Sequence, residues 1–401
     1  MTTWLDPAAV RAFLDERHVA LAEEVEAYAI RDIASRPVPE TDAEARLEAR
    51  RLLAEVGQAG WFAHAIPAEH GGAGLDLRAC CLIREALAAA SPLADAVFAL
   101  QALGSMPLIL AGSAAQRTRW LPEVAAGRAM AAFAMTEPEA GSDVSSLATV
   151  ARRDGGGYRI DGRKTLISNA GIADFYAVFA ATAPSDSEAG HRRISCFLVP
   201  AGTPGLELVK PQVLSAPHPL GELAFTACRV AEEERLGAEG EGFKLGMKTL
   251  DRLRPTVAAA ACGMAARALA EAIAHASSRR QFGRPLADFQ ITQQKLAAMA
   301  TELTAARLLV YRAAQAADAG AERITLESAM AKAFATEAAQ RIVDGSLQIC
   351  GGRGLLAEHP VERLYRAVRA LRIYEGTTEI QHLVIAKQLL AAPAPPTPPP
   401  G

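Results

Sequence analysis

The chain has 401 residues, half of them hydrophobic but only 5% aromatic, and a formal net charge of −3. That balance supplies no global field to attract nucleic acid or an anionic membrane, and the length allows a sizeable core spread over two or three domains. An alanine-rich, aromatic-poor composition suits long, closely packed helices better than an all-β protein.

No basic run followed by an apolar stretch opens the chain, so no secretory leader is expected. No uninterrupted apolar run is read as long enough to span a bilayer, and a cytoplasmic protein is the expectation. Cys80, Cys81, Cys196, Cys228, Cys262 and Cys350 lie in apolar segments without paired spacing. Buried, reduced thiols are expected and no metal site.

Asp6-Pro7 has the form of an N-cap with proline at the first helical position, and the amphipathic run behind it predicts a helix to about residue 35. Thr41-Asp42-Ala43-Glu44 is a capping box opening a second helix that ends near Gly60. The stretch Ile66-Pro67-Ala68-Glu69-His70-Gly71-Gly72-Ala73-Gly74-Leu75 lacks the Lys-Ser/Thr ending of a phosphate loop and follows no strand, which makes it a structural turn. Helices are predicted next over 77–90, 93–111 and 113–126.

At Met130 the period changes. Short alternating or β-branched runs occupy 131–136, 147–153, 158–160, 164–168, 175–182, 194–200, 206–211 and 222–230. With Asp154-Gly155-Gly156-Gly157 and Asp161-Gly162 as hairpin turns, this section is mainly antiparallel β. Helical periodicity returns over 242–390, with breaks expected at Pro255, Gly283-Arg284-Pro285, Gly320, Gly351-Gly352 and Pro360. The proline-rich end, 392–401, is expected to be a disordered tail. The class is α+β, mainly α: a helical domain at 1–129, a β domain at 130–236 and a helical bundle at 237–391.

Glu375 lies in Leu371-Arg372-Ile373-Tyr374-Glu375-Gly376-Thr377-Thr378-Glu379-Ile380-Gln381, between an aromatic ring and a glycine. It is either a base that removes a proton beside a carbonyl or an acidic residue favoured by the start of the last helix. Met135-Thr136-Glu137-Pro138-Glu139-Ala140-Gly141-Ser142-Asp143 brings hydroxyls and N–H groups to a strand end, which suits a phosphate or ring edge and equally a turn. The planar fork of Arg279 suits a diphosphate, and Gly351-Gly352 would let a ligand lie on bare backbone. A solvated helix end and a helix C-cap are the competing readings.

Together these segments resemble the acyl-CoA dehydrogenase family. Met135 to Asp143 closely resembles its MTEPxAGSD signature, Asp161-Gly162-Arg163-Lys164-Thr165-Leu166-Ile167-Ser168-Asn169-Ala170 its NGxKxWITNG strand, and Arg279-Arg280-Gln281-Phe282-Gly283 its RxxFG turn. Gln348-Ile349-Cys350-Gly351-Gly352-Arg353-Gly354 resembles QxxGGxG, and the Glu375 stretch resembles IYEGTSEIQ. All stand in the family's order over roughly residues 20–390.

The resemblance implies the family's fold, with an N-terminal helical domain, a middle β domain and a C-terminal four-helix bundle, and it implies FAD as cofactor. Phe133, Met135, Thr136, Gly141 and Ser142 would line the flavin with Leu166, Ile167 and Ser168, and Ser142 would also touch the CoA arm. Arg279, Phe282 and Gln290 would reach the FAD diphosphate and adenine across a subunit boundary. Gln348, Ile349, Gly351 and Gly352 would also contact the adenine and diphosphate, and Thr377 and Glu379 complete the cofactor set. Asp251, Arg254, Tyr374 and Gly376 would hold an acyl-CoA thioester.

Glu375 would take the α-proton while the β-carbon gives hydride to flavin N5, with the thioester oxygen on the Glu375 N–H and a ribityl hydroxyl. Leu253 is apolar where some relatives carry their base, which leaves Glu375. An electron-transferring flavoprotein as acceptor and a homo-oligomer, a homotetramer, are implied too. The sequence departs from the family at Ser168 for Thr, Leu166 for Trp, Ala367 for the acid after Arg366, and Pro217-His218-Pro219 near the CoA. His218 either contacts a CoA phosphate or sits in a rigid exposed loop. Alternatives are a carrier-protein thioester as substrate, a flavin monooxygenase or oxidase, and a non-enzymatic helical adaptor.

Overall fold

The structure is a computed structural model that describes residues 3–183 and 193–391. The proline-rich tail at 392–401 lies outside the described residues. The chain enters through turns: Asp6 Oδ1 accepts the Ala9 N–H at 3.1 Å, which closes one isolated turn, and a 3-10 turn follows at Arg11–Phe13. The first helix, α1 (Glu16–Tyr28), therefore starts later than the Asp6-Pro7 signal predicts, and a π-turn over Ala29–Ile33 extends it.

The Thr41 capping box forms as expected. The Glu44 N–H donates to Thr41 Oγ1 at 3.2 Å and the Thr41 N–H to the Glu44 carboxylate at 3.3 Å, opening α2 (Asp42–Gln58). The glycine-rich stretch after it is structural, since a Cβ on Gly72 would stand 1.9 Å from the Ile66 carbonyl oxygen. Helices α3 (Leu77–Ala90), α4 (Pro92–Ala111) and α5 (Ala114–Ala125) follow.

The middle section is one sheet in the order β6-β7-β3-β2-β4-β5-β8. Its strands are β2 (Val150–Asp154), β3 (Gly157–Ser168), β4 (Phe175–Ala181), β5 (Ile194–Pro200), β6 (Leu206–Pro211), β7 (Leu220–Ala231) and β8 (Arg235–Leu236). Most pairs are antiparallel, and β1 (Ala131–Ala134) adds in parallel on β4. Gly155 and Gly156 close the β2–β3 hairpin with φ of +55° and +89°, values that glycine adopts without a Cβ clash.

Asp161-Gly162, expected as a second hairpin turn, is instead a bulge inside a continuous β3. Pairing with β7 slips between Ile160 and Gly162, and a Cβ at Gly162 would meet Thr149 Oγ1 at 2.5 Å. The glycine serves close approach, not chain reversal.

The last section holds α6 (Gly242–Ser278), α7 (Gln290–Asp318), α8 (Thr325–Cys350), α9 (Pro360–Leu371) and α10 (Thr378–Ala391), with a hairpin of β9 (Arg280–Gln281) and β10 (Arg284–Pro285) between α6 and α7. Pro255 does not break α6. Proline removes one N–H and frees the carbonyl four residues earlier. That carbonyl, on Asp251, accepts the Ser328 hydroxyl of α8 at 2.7 Å, so a neighbouring helix replaces the lost bond.

The N-terminal and C-terminal helices share one hydrophobic core. At its centre α3 and α6 touch so closely that a Cβ on Gly263 would lie 2.0 Å from the Glu85 carbonyl oxygen. Contrary to the reading of the sequence, α4 and α6 are each long and apolar enough to cross a bilayer; isolated polar residues such as Asp95 and Gln101 hid this. Both are core helices, with 67% and 72% of their most apolar windows buried inside the protein. All six cysteines are buried and unpaired.

Candidate active site

Tyr374, Glu375 and Gly376 form the turn between α9 and α10. Glu375 has a left-handed φ of +54° and Gly376 one of +96°. For a glutamate this conformation costs on the order of 1–3 kcal/mol and persists only when its surroundings impose it. Here the Glu375 carbonyl accepts Arg254 Nε of α6 at 3.0 Å and Gln381 Nε2 of α10 at 3.2 Å. The Gly376 carbonyl accepts Lys332 Nζ of α8 at 2.8 Å and the same Gln381 amide at 3.0 Å.

Arg254 is itself steered by Asp251, Nη1 to Oδ1 at 2.5 Å, and the second Asp251 oxygen accepts the Thr325 hydroxyl at 2.7 Å. Both oxygens of this expected substrate contact are thus engaged within the protein. Gly376→Ala would place a Cβ 2.5 Å from Gln381 Nε2 at an unfavourable φ. We expect it to lower stability by about 1–3 kcal/mol in denaturant titration and to slow flavin reduction; an unchanged midpoint and rate would show that the clamp does not hold the turn.

Glu375 Oε2 is buried with no hydrogen-bond partner. Burial raises the carboxyl pKa, and the positive charges of Arg84, Arg254 and Lys332 only partly oppose it. Burial also lowers the Lys332 ammonium to about 8, against the pull of Glu375. Tyr374 keeps 40% of its surface accessible, while burial of its hydroxyl end raises its phenol pKa. Behind it Arg84 is enclosed, donating to both Asp95 oxygens at 2.7 and 2.9 Å and to Thr256 Oγ1 at 2.9 Å.

A second group gathers where β1 and β3 end side by side. The Thr165 N–H donates to the Thr136 carbonyl at 3.0 Å. Beneath them Lys164, wholly buried, donates to the Met135 carbonyl at 3.0 Å and to Glu137 Oε1 at 2.7 Å. Phe133, Met135, Thr136, Ile167 and Ser168 lie along this platform, with Gly141 and Ser142 exposed beyond it. Leu166 projects with 55% of its surface exposed and φ +55°, its N–H held by Gln212 Oε1 at 2.8 Å.

Helix α6 joins platform and turn. A Cβ on Gly246 would strike Met135 Cε at 2.3 Å, and Arg254 follows two turns later, roughly 12 Å along the axis. Against the expectation of a rigid exposed loop, His218 is half-buried, with Nε2 2.7 Å from Ser168 Oγ.

The remaining predicted residues lie elsewhere. Arg279 comes 25 positions after Arg254, roughly 37 Å further along α6. Phe282, at the tip of the β9–β10 hairpin, is 92% exposed, and Gln290 opens α7 on the surface. Gln348, Ile349, Gly351 and Gly352 close α8, whose start bonds Asp251 and whose end brings Arg353 near His275, one turn before Arg279. Thr377 Oγ1 accepts the Ile380 N–H at 3.3 Å as a cap of α10, and Glu379 is exposed in its first turn, both beside Glu375. One copy therefore presents two separate groups, at opposite ends of its long helices.

Sequence models of the acyl-CoA dehydrogenase N-terminal, middle and C-terminal domains match residues 15–128, 132–228 and 240–390. The chain is 38% identical to a probable acyl-CoA dehydrogenase, FadE25, of Mycobacterium tuberculosis, over 94% of this chain and 96% of that one. The chain belongs to the acyl-CoA dehydrogenase family. It is also 41% identical to a 3-(aryl)acrylate reductase of Clostridium sporogenes, over 85% of this chain and 90% of that one. The solved butyryl-CoA dehydrogenase of Megasphaera elsdenii matches with a TM-score of 0.87 at 33% identity, covering 94% of this chain and 99% of that one.

Acyl-CoA dehydrogenases are FAD-dependent oxidoreductases acting on CH–CH bonds, and FAD is the cofactor expected here. The residues present fit it. Cβ positions at Gly141, Gly351 and Gly352 meet nothing within 4 Å, which leaves bare backbone open to a ligand, and Arg279 has no ion-pair partner among the described residues. Reading the sequence missed the roles of Lys164, Glu137, Lys332, Gln381, Gln212 and Arg84. Lys164 and Glu137 stand inside recognised motifs, 27 positions apart, and Lys164 shares its strand with the charged Arg159, Asp161 and Arg163, so nothing in the local pattern marks the pair.

Proposed function

We propose that the protein catalyses α,β-dehydrogenation of an acyl-CoA thioester. The observation that carries this reading is the unpartnered, buried Glu375 Oε2 beside the accessible Tyr374 ring. The Glu375 carboxylate takes the α-proton, becoming the neutral acid that its burial favours. The Glu375 N–H, which makes no backbone hydrogen bond among the described residues, is the donor we assign to the thioester oxygen. Bound FAD would supply the acceptor for the hydride leaving the β-carbon. Phe133, Met135, Thr136, Gly141, Ser142, Ile167 and Ser168 hold the ring side, while Arg254, Tyr374 and Gly376 shape the thioester side.

The roughly 37 Å between Arg254 and Arg279 supports a second copy as the source of the Arg279, Phe282 and Gln290 contacts. A homotetramer built from such exchanges, an electron-transferring flavoprotein as acceptor and a cytoplasmic location complete the proposal. Kinship to a 3-(aryl)acrylate reductase favours one second reading, the same residues serving reduction of an unsaturated acyl group.

Anaerobic mixing of the FAD-loaded protein with a panel of acyl-CoA thioesters tests this. Bleaching of the flavin by one chain class is expected. No bleaching by any thioester on CoA or carrier protein would end the dehydrogenase reading, and reoxidation of the reduced protein by enoyl or arylacryloyl thioesters alone would favour the second.

A further inference from the structure

The loop between β6 and β7 carries His218 between two prolines, and nothing in the proposed chemistry uses it. Its Nε2 lies 2.7 Å from Ser168 Oγ, and its Nδ1 is enclosed with no partner. The surroundings are rigid. Arg46, paired with Asp42 at 2.6 Å, donates to the Ala170 carbonyl at 2.5 Å and to the Leu220 carbonyl at 2.6 Å, bracing both strands at Ser168. The Asn169 N–H donates to the Pro219 carbonyl at 2.8 Å, and Asn169 Nδ2 to the Ala131 carbonyl at 3.0 Å.

This geometry selects one tautomer. A proton on Nδ1 would be a buried donor without an acceptor, costing about 1–3 kcal/mol, whereas a bare Nδ1 lone pair costs less. Burial, with Arg46 adding to it, holds the imidazole down to about 4, so the ring is neutral. The proton therefore sits on Nε2 and is donated to Ser168 Oγ. A hydroxyl has one proton to give, and with one lone pair of Ser168 taken from behind, its own O–H points away from the histidine.

We infer that His218 is a positioning residue that fixes the Ser168 hydroxyl as a hydrogen-bond donor toward the flavin ring. The inference rests on the reading above that Ser168 faces that ring. A donor fixed in place before electrons arrive stabilises the charge that reduction brings to the ring, without reorientation. A freely rotating hydroxyl at the same place would do so only part of the time.

The test uses the FAD-loaded, full-length protein in a redox buffer at fixed potential. The flavin spectrum reports the ratio of reduced to oxidised cofactor, independently of turnover. One net hydrogen bond is worth roughly a three- to tenfold change in that ratio, tenfold being about 30 mV for a two-electron couple. His218→Leu, which has no donor, and His218→Asn, whose amide ends at the Nδ1 position short of Ser168, are expected to lower the ratio by this amount. His218→Gln, whose amide nitrogen can take the place of Nε2, is expected to restore it.

In a Ser168→Ala background, His218→Asn should have no further effect. Full retention of the wild-type ratio in both His218→Leu and His218→Asn overturns the inference, as does an equal drop in the Ser168→Ala background. If Ser168→Ala alone leaves spectrum and ratio unchanged, the placement of Ser168 against the flavin fails instead. If Ser168→Ala shifts them and the His218 variants do not, only the role of His218 falls. Should His218→Leu not fold, the Asn and Gln pair still decides between these outcomes.

Discussion

Glu375→Gln is expected to retain FAD and to lower the rate of flavin reduction by thioester about 10²- to 10⁴-fold, the usual contribution of a positioned base. The amide fills the same volume and the clamp on the Glu375 and Gly376 carbonyls uses only backbone, so the turn keeps its shape. The reactive form is the carboxylate. Because burial raises its pKa, the wild-type rate falls as pH drops through a value above the ordinary glutamate range. That acid limb should be missing from the residual rate of the variant. Stopped-flow bleaching across a pH series measures both, and unchanged bleaching in Glu375→Gln removes the residue from its role.

Lys164→Met should cost about 3–5 kcal/mol of stability, the usual price of breaking a buried ion pair from one side. Burial pulls the Glu137 carboxyl up, but Lys164 with the Thr149 and Ala148 N–H groups outweighs it and holds the acid below its usual range. Without the lysine, Glu137 keeps only the Ala148 and Thr149 N–H groups, at 2.5 and 3.0 Å, against its burial. The lone carboxylate under the Met135–Thr136 edge then destabilises the platform. Lys164→Met with Glu137→Gln should regain much of the loss, since no charge remains. Denaturant titration of the single and double variants checks this; a single variant within about 0.5 kcal/mol of wild type would show that the pair contributes no more than a surface contact.

Much of this was legible in the chain because it is local. The Thr41 box, the Gly155-Gly156 hairpin and the order of the motifs depend on residues a few positions apart. What could not be read is tertiary. Lys332 on the Gly376 carbonyl and Arg84 on Asp95 join positions whose pairing no periodicity encodes. Asp161-Gly162 has the composition of a turn and serves as a bulge, because Thr149 crowds it from a neighbouring segment. Pro255 looks like a helix end, and this hid the uninterrupted length of α6. That length is what separates Arg279 from Glu375, so the split between the two groups followed from the resemblance alone and its physical cause lay behind one misread proline.

The Ser328 hydroxyl on the Asp251 carbonyl has a consequence for motion. A helix normally opens by breaking its own ladder, but at this turn α6 has a rung supplied by α8. Neither helix can fray here without releasing the other, and Asp251 also holds Arg254 and Thr325. In amide exchange the two should behave as a single opening unit at this level. The Glu375 turn hangs from Arg254 on one helix and Lys332 on the other, and so inherits the protection of the pair, not the looseness of a surface loop.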